Sequence, residues 1–304
     1  MTEGKTLVAG ATGYIGRLLC AELAAARTEV RGLARNPAGA SELADAGVEL
    51  VRGDLLERET LEPAMEGVTV AHYLVHSMGR GGDGGFAERD KSAARNFGEA
   101  AAAAGVKQIV YLGGLTDGGS EHLESRHRTA EILRESGVPV TYFRAAAVLG
   151  AGSESFRTVL HLTRRLPVMI TPRWASTKTQ PIAIADVLAF LMAAPDVAEA
   201  RDREIEIGGP DVTTYGGMID ECARALGRPR PRRLAVPVLT PGLSSLWVGL
   251  ITPVDAGVVK PLIEGMETET VIRDPSGMEI FDVGRTSLEE AMKAAVVEAE
   301  IEDR

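Results

Sequence analysis

The sequence predicts an α/β protein built on a doubly wound, mostly parallel sheet, with a smaller C-terminal lobe woven into it. Three observations carry this. Short apolar runs alternate with helix-spaced segments through the first half of the chain, as in consecutive βαβ units. The runs are apolar along nearly their whole length, as strands are when both sheet faces are covered. A glycine-rich turn joins the first apolar run to the first helical segment.

The elements follow in order. Thr6–Ala9 reads as a strand, Tyr14–Arg27 as a helix, Val30–Ala34 as a strand and Ser41–Ala46 as a helical piece. Val48–Arg52 and Val68–Val75 read as strands around a short helix at Thr60–Met65. The Ala-rich Phe86–Ala104 predicts a long helix, Val106–Leu112 a strand, Glu121–Ser136 a helix and Val138–Phe143 a strand. Past Gly150 the alternation breaks. Ser155–Leu166 and Ile184–Ala194 have helical spacing, Glu204–Ile207 reads as a strand, and Pro and Gly are frequent from Gly208 onward. The expected division is a nucleotide-binding unit at residues 1–150, rejoined by 181–210, and a substrate-side lobe from 151–180 and 211–304.

Composition narrows the class. The 304 residues are 45% hydrophobic and 25% charged, which excludes wholesale disorder. With 33 basic and 43 acidic residues the formal charge is −10, so the global cationic footprint of a nucleic-acid binder is absent. The two cysteines, Cys20 and Cys222, form no disulfide framework and no zinc motif. No signal-peptide h-region precedes the first strand, so the expected compartment is the cytoplasm. Leu234–Val254 is uncharged and about long enough to span a bilayer. Its prolines at 237, 241 and 253 and glycines at 242 and 249 suit short buried helices better than a continuous span. A pocket wall for an apolar substrate, or a patch that touches a membrane, is the alternative reading of the same run.

The strongest motif is Gly10-Ala11-Thr12-Gly13-Tyr14-Ile15-Gly16. It follows the first strand and opens the first helix, the context that makes a glycine motif credible. Glycines permit the tight turn and the close approach of a pyrophosphate, and the helix N-terminus offers unpaired N–H groups and a positive dipole end. Gly10, Thr12, Gly13, Tyr14, Ile15 and Gly16 are therefore the expected phosphate contacts of a Rossmann-type fold. A second match, Gly79-Arg80-Gly81-Gly82-Asp83-Gly84, follows the fourth strand and suits a loop rather than a second phosphate site. At the end of the second strand an NAD site carries a carboxylate and an NADP site an arginine. This chain has Arg35, which favours NADP(H) over NAD(H), because a guanidinium pairs with a 2′-phosphate. Asp54 and Leu55, after the third strand, are placed to flank the adenine, and Asp54 is also a good helix cap.

These residues, with Tyr73-Leu74-Val75-His76-Ser77 and Gly208-Gly209-Pro210-Asp211, resemble the atypical short-chain dehydrogenase/reductases. More narrowly, the chain resembles the NmrA-like, NAD(P)H-binding, epimerase/dehydratase-like group, to which the nucleotide-binding accessory subunit of complex I is related. The resemblance spans roughly Thr6 to Asp211. It implies an NADP(H)-binding oxidoreductase acting on a small apolar, carbonyl or quinone-like substrate.

Ordinary relatives use a Tyr-x-x-x-Lys pair, in which Lys lowers the Tyr pKa for proton transfer to a substrate oxygen. In the corresponding helix, aligned by Glu131, those positions hold Leu123 and His127, and the usual Ser region reads Tyr111-Leu112-Gly113-Gly114-Leu115. The missing pair leaves a non-catalytic NADPH-binding sensor or assembly protein as a second reading. It disfavours a nucleotide-sugar epimerase or dehydratase. The remaining candidate proton donors are His127 and His76, since imidazole titrates near neutrality. His76 and Ser77 lie at the carboxyl end of the fourth strand, where open α/β sheets bind ligands, and Gly113 is expected to contact the cofactor there as well. Ser153, Phe156 and Trp174 are the expected border of the substrate pocket, the aromatic rings offering apolar area. Asp186 reads as a first-turn carboxylate rather than a catalyst. The histidines show no metal spacing. The expected partner is a small molecule, with self-association open.

Overall fold

The computed structural model describes residues 4–75, 86–115, 121–165, 168–171, 173–235 and 264–303. The strands are β1 (Lys5–Ala9), β2 (Val30–Ala34), β3 (Glu49–Arg52), β4 (Val68–Tyr73), β5 (Gln108–Gly114) and β6 (Val140–Ala145), then β7 (Val148–Leu149), β8 (Val168–Thr171), β9 (Lys178–Thr179), β10 (Ile182–Ala183), β11 (Glu204–Ile207), β12 (Thr213–Thr214) and β13 (Arg232–Ala235). The central sheet has seven strands in the order β3-β2-β1-β4-β5-β6-β11. Every pairing in it is parallel. This is the Rossmann-type doubly wound sheet, and its order reverses between β1 and β4. Ligands of such sheets bind outside the carboxyl ends at that switch point.

Helices cover both faces. They are α1 (Tyr14–Ala25), α2 (Ser41–Asp45), α3 (Leu61–Ala64), α4 (Phe86–Ala103), α5 (Glu121–Glu135), α6 (Glu154–Arg165), α7 (Ile184–Ala193), α8 (Tyr215–Ala225) and α9 (Leu288–Glu302). One core joins Val8, Val70, Val110 and Phe143 of the sheet to α1 and α7. The other joins Leu7, Ala71, Tyr73, Ile109, Tyr111 and Tyr142 to α4 and α5. Successive strand residues alternate between these cores, which is why the strands read as unbroken apolar runs.

A third core lies between α6, α8 and α9. The last two helices were not anticipated amid the Pro- and Gly-rich C-terminal sequence. Both have legible starts. Thr214 accepts the Gly217 N–H at 3.0 Å, capping α8. Ser287 and Glu290 form a capping box at the start of α9. The chain beyond 264 is tied back to the nucleotide-binding half. Asp186, in the first turn of α7, accepts the Thr286 N–H at 2.8 Å and its hydroxyl at 2.7 Å. Glu206 on β11 accepts the Arg273 and Asp274 N–H groups at 2.6 and 3.1 Å. Among the described residues no helix is long and apolar enough to cross a membrane.

Candidate cofactor site

The glycine motif forms the turn between β1 and α1. Gly10 has φ +88°, in the left-handed region that favours glycine, and its carbonyl accepts the Gly13 N–H at 2.9 Å. Gly16 sits so close to this turn that a Cβ on it would lie 2.1 Å from the Gly10 oxygen. Gly13 is the N-cap of α1 and supplies no side-chain cap, and the first turn of α1 holds no acidic residue. The first-turn amides and the dipole end are therefore left to an anionic ligand. Thr12 and Gly13 are exposed at the mouth, and Ile15 packs against the core on the α1 side. This arrangement fits a dinucleotide pyrophosphate.

Tyr14 has a different partner from the one expected. Its ring lies against the backbone of Gly150 and Gly152, where a Cβ would come within 2.3 and 2.2 Å of it. Its hydroxyl donates to Glu298 of α9 at 3.1–3.2 Å, and the same carboxylate accepts the Ala151 N–H at 3.1 Å. Burial, reinforced by the Glu298 charge, holds the Tyr14 phenol well above its ordinary pKa. Glu298 thus fastens the start of the phosphate-binding helix to the loop after β7. Glu298→Ala is expected to destabilise the protein by about 2 kcal/mol, and Glu298→Gln by less, since an amide oxygen still accepts. Paired thermal melts check this; equal melting of both variants and wild type contradicts it.

At the adjoining sheet edge Arg35 is exposed, one residue beyond β2. The register of β2 with β3 places Ala34 beside Arg52, which is also exposed. Two exposed arginines therefore lie at this edge of the sheet. Sequence reading found only Arg35, because Arg52 reaches this edge through strand pairing. Asp54 closes its own turn, its Oδ1 accepting the Leu56 N–H at 3.0 Å. It caps that turn and not a helix. Leu55 departs from expectation: it is buried in the core with Leu33 and Leu61, and its carbonyl accepts from Asn96 at 2.9 Å. Its side chain is taken up by packing in that core.

His76, Ser77 and the glycines at 79–85 lie outside the described residues. At the carboxyl end of β5, Gly113 is explained by Tyr142, whose ring lies where a Gly113 Cβ would be, 2.7 Å from the nearest ring atom. His127 is exposed on α5, with Nε2 3.9 Å from Glu131 and its ring 6.4 Å from that of Tyr142. Tyr111 is committed, donating to the Arg126 carbonyl at 3.1 Å.

The substrate-side expectations need correcting. Phe156 is fully buried and Trp174 is 2% exposed; both belong to the third core. Phe156, Val159, Leu160 and Leu162 form the apolar stripe of α6, and Trp174 packs edge-on to Tyr215 at 6.2 Å. Neither ring lines a pocket. Ser153 is half-buried ahead of α6, its carbonyl accepting the Arg157 N–H at 2.8 Å. Of the uncharged 234–254 run, only the first two residues are described, at the end of β13.

Comparison with known proteins agrees with this geometry. The pattern of the NAD(P)H-binding family matches residues 10–166, half of the chain. The (4-alkanoyl-5-oxo-2,5-dihydrofuran-3-yl)methyl phosphate reductase of Streptomyces griseus is 30% identical over 234 residues, 73% of this chain and 74% of that protein. The photosystem II assembly factor Ycf39 of Trieres chinensis is 26% identical over 226 residues, 73% of this chain and 69% of its own. Among solved structures, an NADPH-dependent quinone oxidoreductase from Escherichia coli, complexed with NADPH, superposes with a TM-score of 0.76 at 20% identity. That match covers 94% of this chain and 98% of the other. The chain belongs to the NAD(P)H-binding family.

Proposed function

We propose that this chain is an NADP(H)-dependent oxidoreductase that reduces a small, largely apolar carbonyl or quinone-like compound. The observation that carries the proposal is the uncapped, glycine-lined start of α1, flanked at the β2–β3 edge by the exposed Arg35 and Arg52. A bound nicotinamide nucleotide supplies the hydride. The chain's part is to hold it: Gly10, Gly13 and Gly16 admit the pyrophosphate to the α1 amides, and Arg35 with Arg52 pairs with the 2′-phosphate.

The reductase relative and the assembly-factor relative each match 73% of the chain, the reductase at the higher identity. That favours turnover over a purely structural role. Free, buried Cys20 and Cys222 support a reducing compartment, the cytoplasm. Arg35→Ala with Arg52→Ala is expected to weaken NADPH binding by about 10- to 100-fold while leaving NADH within about twofold, as loss of charge-assisted bonds to one phosphate predicts. Fluorescence titration with both nucleotides checks it. Equal losses for both would refute the 2′-phosphate assignment.

A further inference from the structure

We propose that the basic face formed by the end of α6 and residues 228–232 docks the protein on an anionic membrane surface, where its arginines hold phospholipid headgroup phosphates. The inference stands apart from the cofactor site and does not depend on the reductase reading.

The chain carries a formal charge of −10, yet residues 157–165 and 228–233 hold seven arginines and no carboxylate. The fold brings these two stretches together. Arg157, His161, Arg164 and Arg165 recur at helical spacing along the second half of α6, so they share one side of it. Arg228, which follows α8, donates to the Arg164 carbonyl at 2.7 Å across 64 positions of sequence. Arg232 opens β13, and its register with Val168 of β8 sets it beside the chain just past Arg165. Arg157, Arg165, Arg228, Arg230 and Arg232 are exposed. Asp303 pairs with Arg164 at 2.6 Å and answers one charge of the cluster. His161 registers the crowding. Burial, and then the charges of Arg165, Arg157 and Arg164, hold its imidazole below its ordinary pKa, with Asp303 acting against them.

Like charges gathered this closely repel one another, and an anionic partner relieves the repulsion. Each arginine near an anionic bilayer surface raises affinity about fivefold. Charges more than about 10 Å away are largely screened at 0.1 M salt. A bilayer meets the protein on one face, so the acidic remainder of the chain is screened from it. A nucleic acid running past the same face would meet that remainder. The sequence favours the same partner. Arg232 and Arg233 lead directly into residues 234–254, which carry no charge and include Trp247. A basic cluster beside an apolar, Trp-bearing stretch is the composition of segments that bind at membrane interfaces.

Co-sedimentation of the full chain with phosphatidylcholine vesicles, with and without about 30 mol% phosphatidylglycerol, tests the proposal. The protein is expected to sediment with the anionic vesicles only, and to be released by about 0.5 M salt. Arg230→Gln with Arg232→Gln, and separately Arg157→Gln with Arg165→Gln, is expected to weaken vesicle binding by about 10-fold or more at an unchanged melting temperature. Either pair serves should the other fail to fold. Arg27→Gln with Arg201→Gln removes the same charge from the opposite end of the sheet, ahead of β2 and β11, and is expected to bind within about twofold of wild type. Absence of sedimentation with anionic vesicles, equal sedimentation with neutral ones, or equal losses in all three double variants overturns the proposal. Tighter binding to duplex DNA than to the anionic vesicles also overturns it, since the face would then serve a soluble polyanion.

Discussion

Gly16→Ala is expected to lower nucleotide affinity by at least about 100-fold and to destabilise the fold by about 2 kcal/mol. Alanine at an ordinary helical position would gain roughly 1 kcal/mol over glycine. Here the new Cβ would stand 2.1 Å from the Gly10 oxygen, 2.8 Å from the Gly10 carbonyl carbon and 3.2 Å from the Ala11 Cα. All three are backbone atoms, so no side-chain rotation relieves the contact, and α1 must move away from the turn. Overpacking of this kind costs about 1–3 kcal/mol. The displacement also withdraws the first-turn amides from the phosphates, and each charge-assisted bond lost is worth about 1.5–3 kcal/mol. Gly39→Ala is the matched control, since nothing lies within 4 Å of a Cβ there. Nucleotide titration and chemical denaturation of the two variants decide the point. A G16A protein that binds NADPH like G39A would show that the glycine turn is not the cradle.

His72 is expected to make the protein acid-sensitive, and His72→Leu to relieve it. The ring is fully buried on β4, and neither nitrogen has a hydrogen-bond partner among the described residues. Burial lowers its pKa from 6.5 to about 4. Between those values the unfolded chain takes up a proton that the native state refuses. Stability therefore falls as pH drops below about 6.5, and the loss is complete, at about 3 kcal/mol, once pH is below about 4. At neutral pH the imidazole still carries unpaired polar atoms into an apolar core, at a cost of about 1–3 kcal/mol. His72→Leu removes both penalties, so the variant should be more stable at pH 7 and more so at pH 5. Urea denaturation across that range tests it. Parallel pH profiles for wild type and variant would contradict the account.

The sheet was legible because covered parallel strands leave a signal that needs no tertiary information. Val30–Ala34 and Glu204–Ile207 read with their observed ends, and Tyr14 was found as the first residue of α1. The glycine loop was legible for a related reason: its function depends on backbone, and glycine marks backbone constraints directly. The substrate side was harder. Phe156 looked like a pocket residue because it follows the sheet, but its spacing with Val159, Leu160 and Leu162 makes it part of a helix stripe. Its cover, α8 and α9, comes later in the chain and had been hidden by frequent Pro and Gly. The capping box at Ser287 was the available signal.

Glu298 and Arg52 were out of reach for a different reason. Glu298 meets Tyr14 across 284 positions of sequence. Arg52 comes to lie beside Ala34 only through the pairing of β3 with β2. Each of these placements is created by pairing between elements, and no local pattern encodes it.

The most direct test of the central claim, that the α1 cradle and the β2–β3 arginines hold NADP(H), is a fluorescence titration of the purified chain with NADPH and with NADH. Saturable 1:1 binding is expected, tighter for NADPH by about 10-fold or more. Binding of neither nucleotide, or tighter binding of NADH, would contradict it.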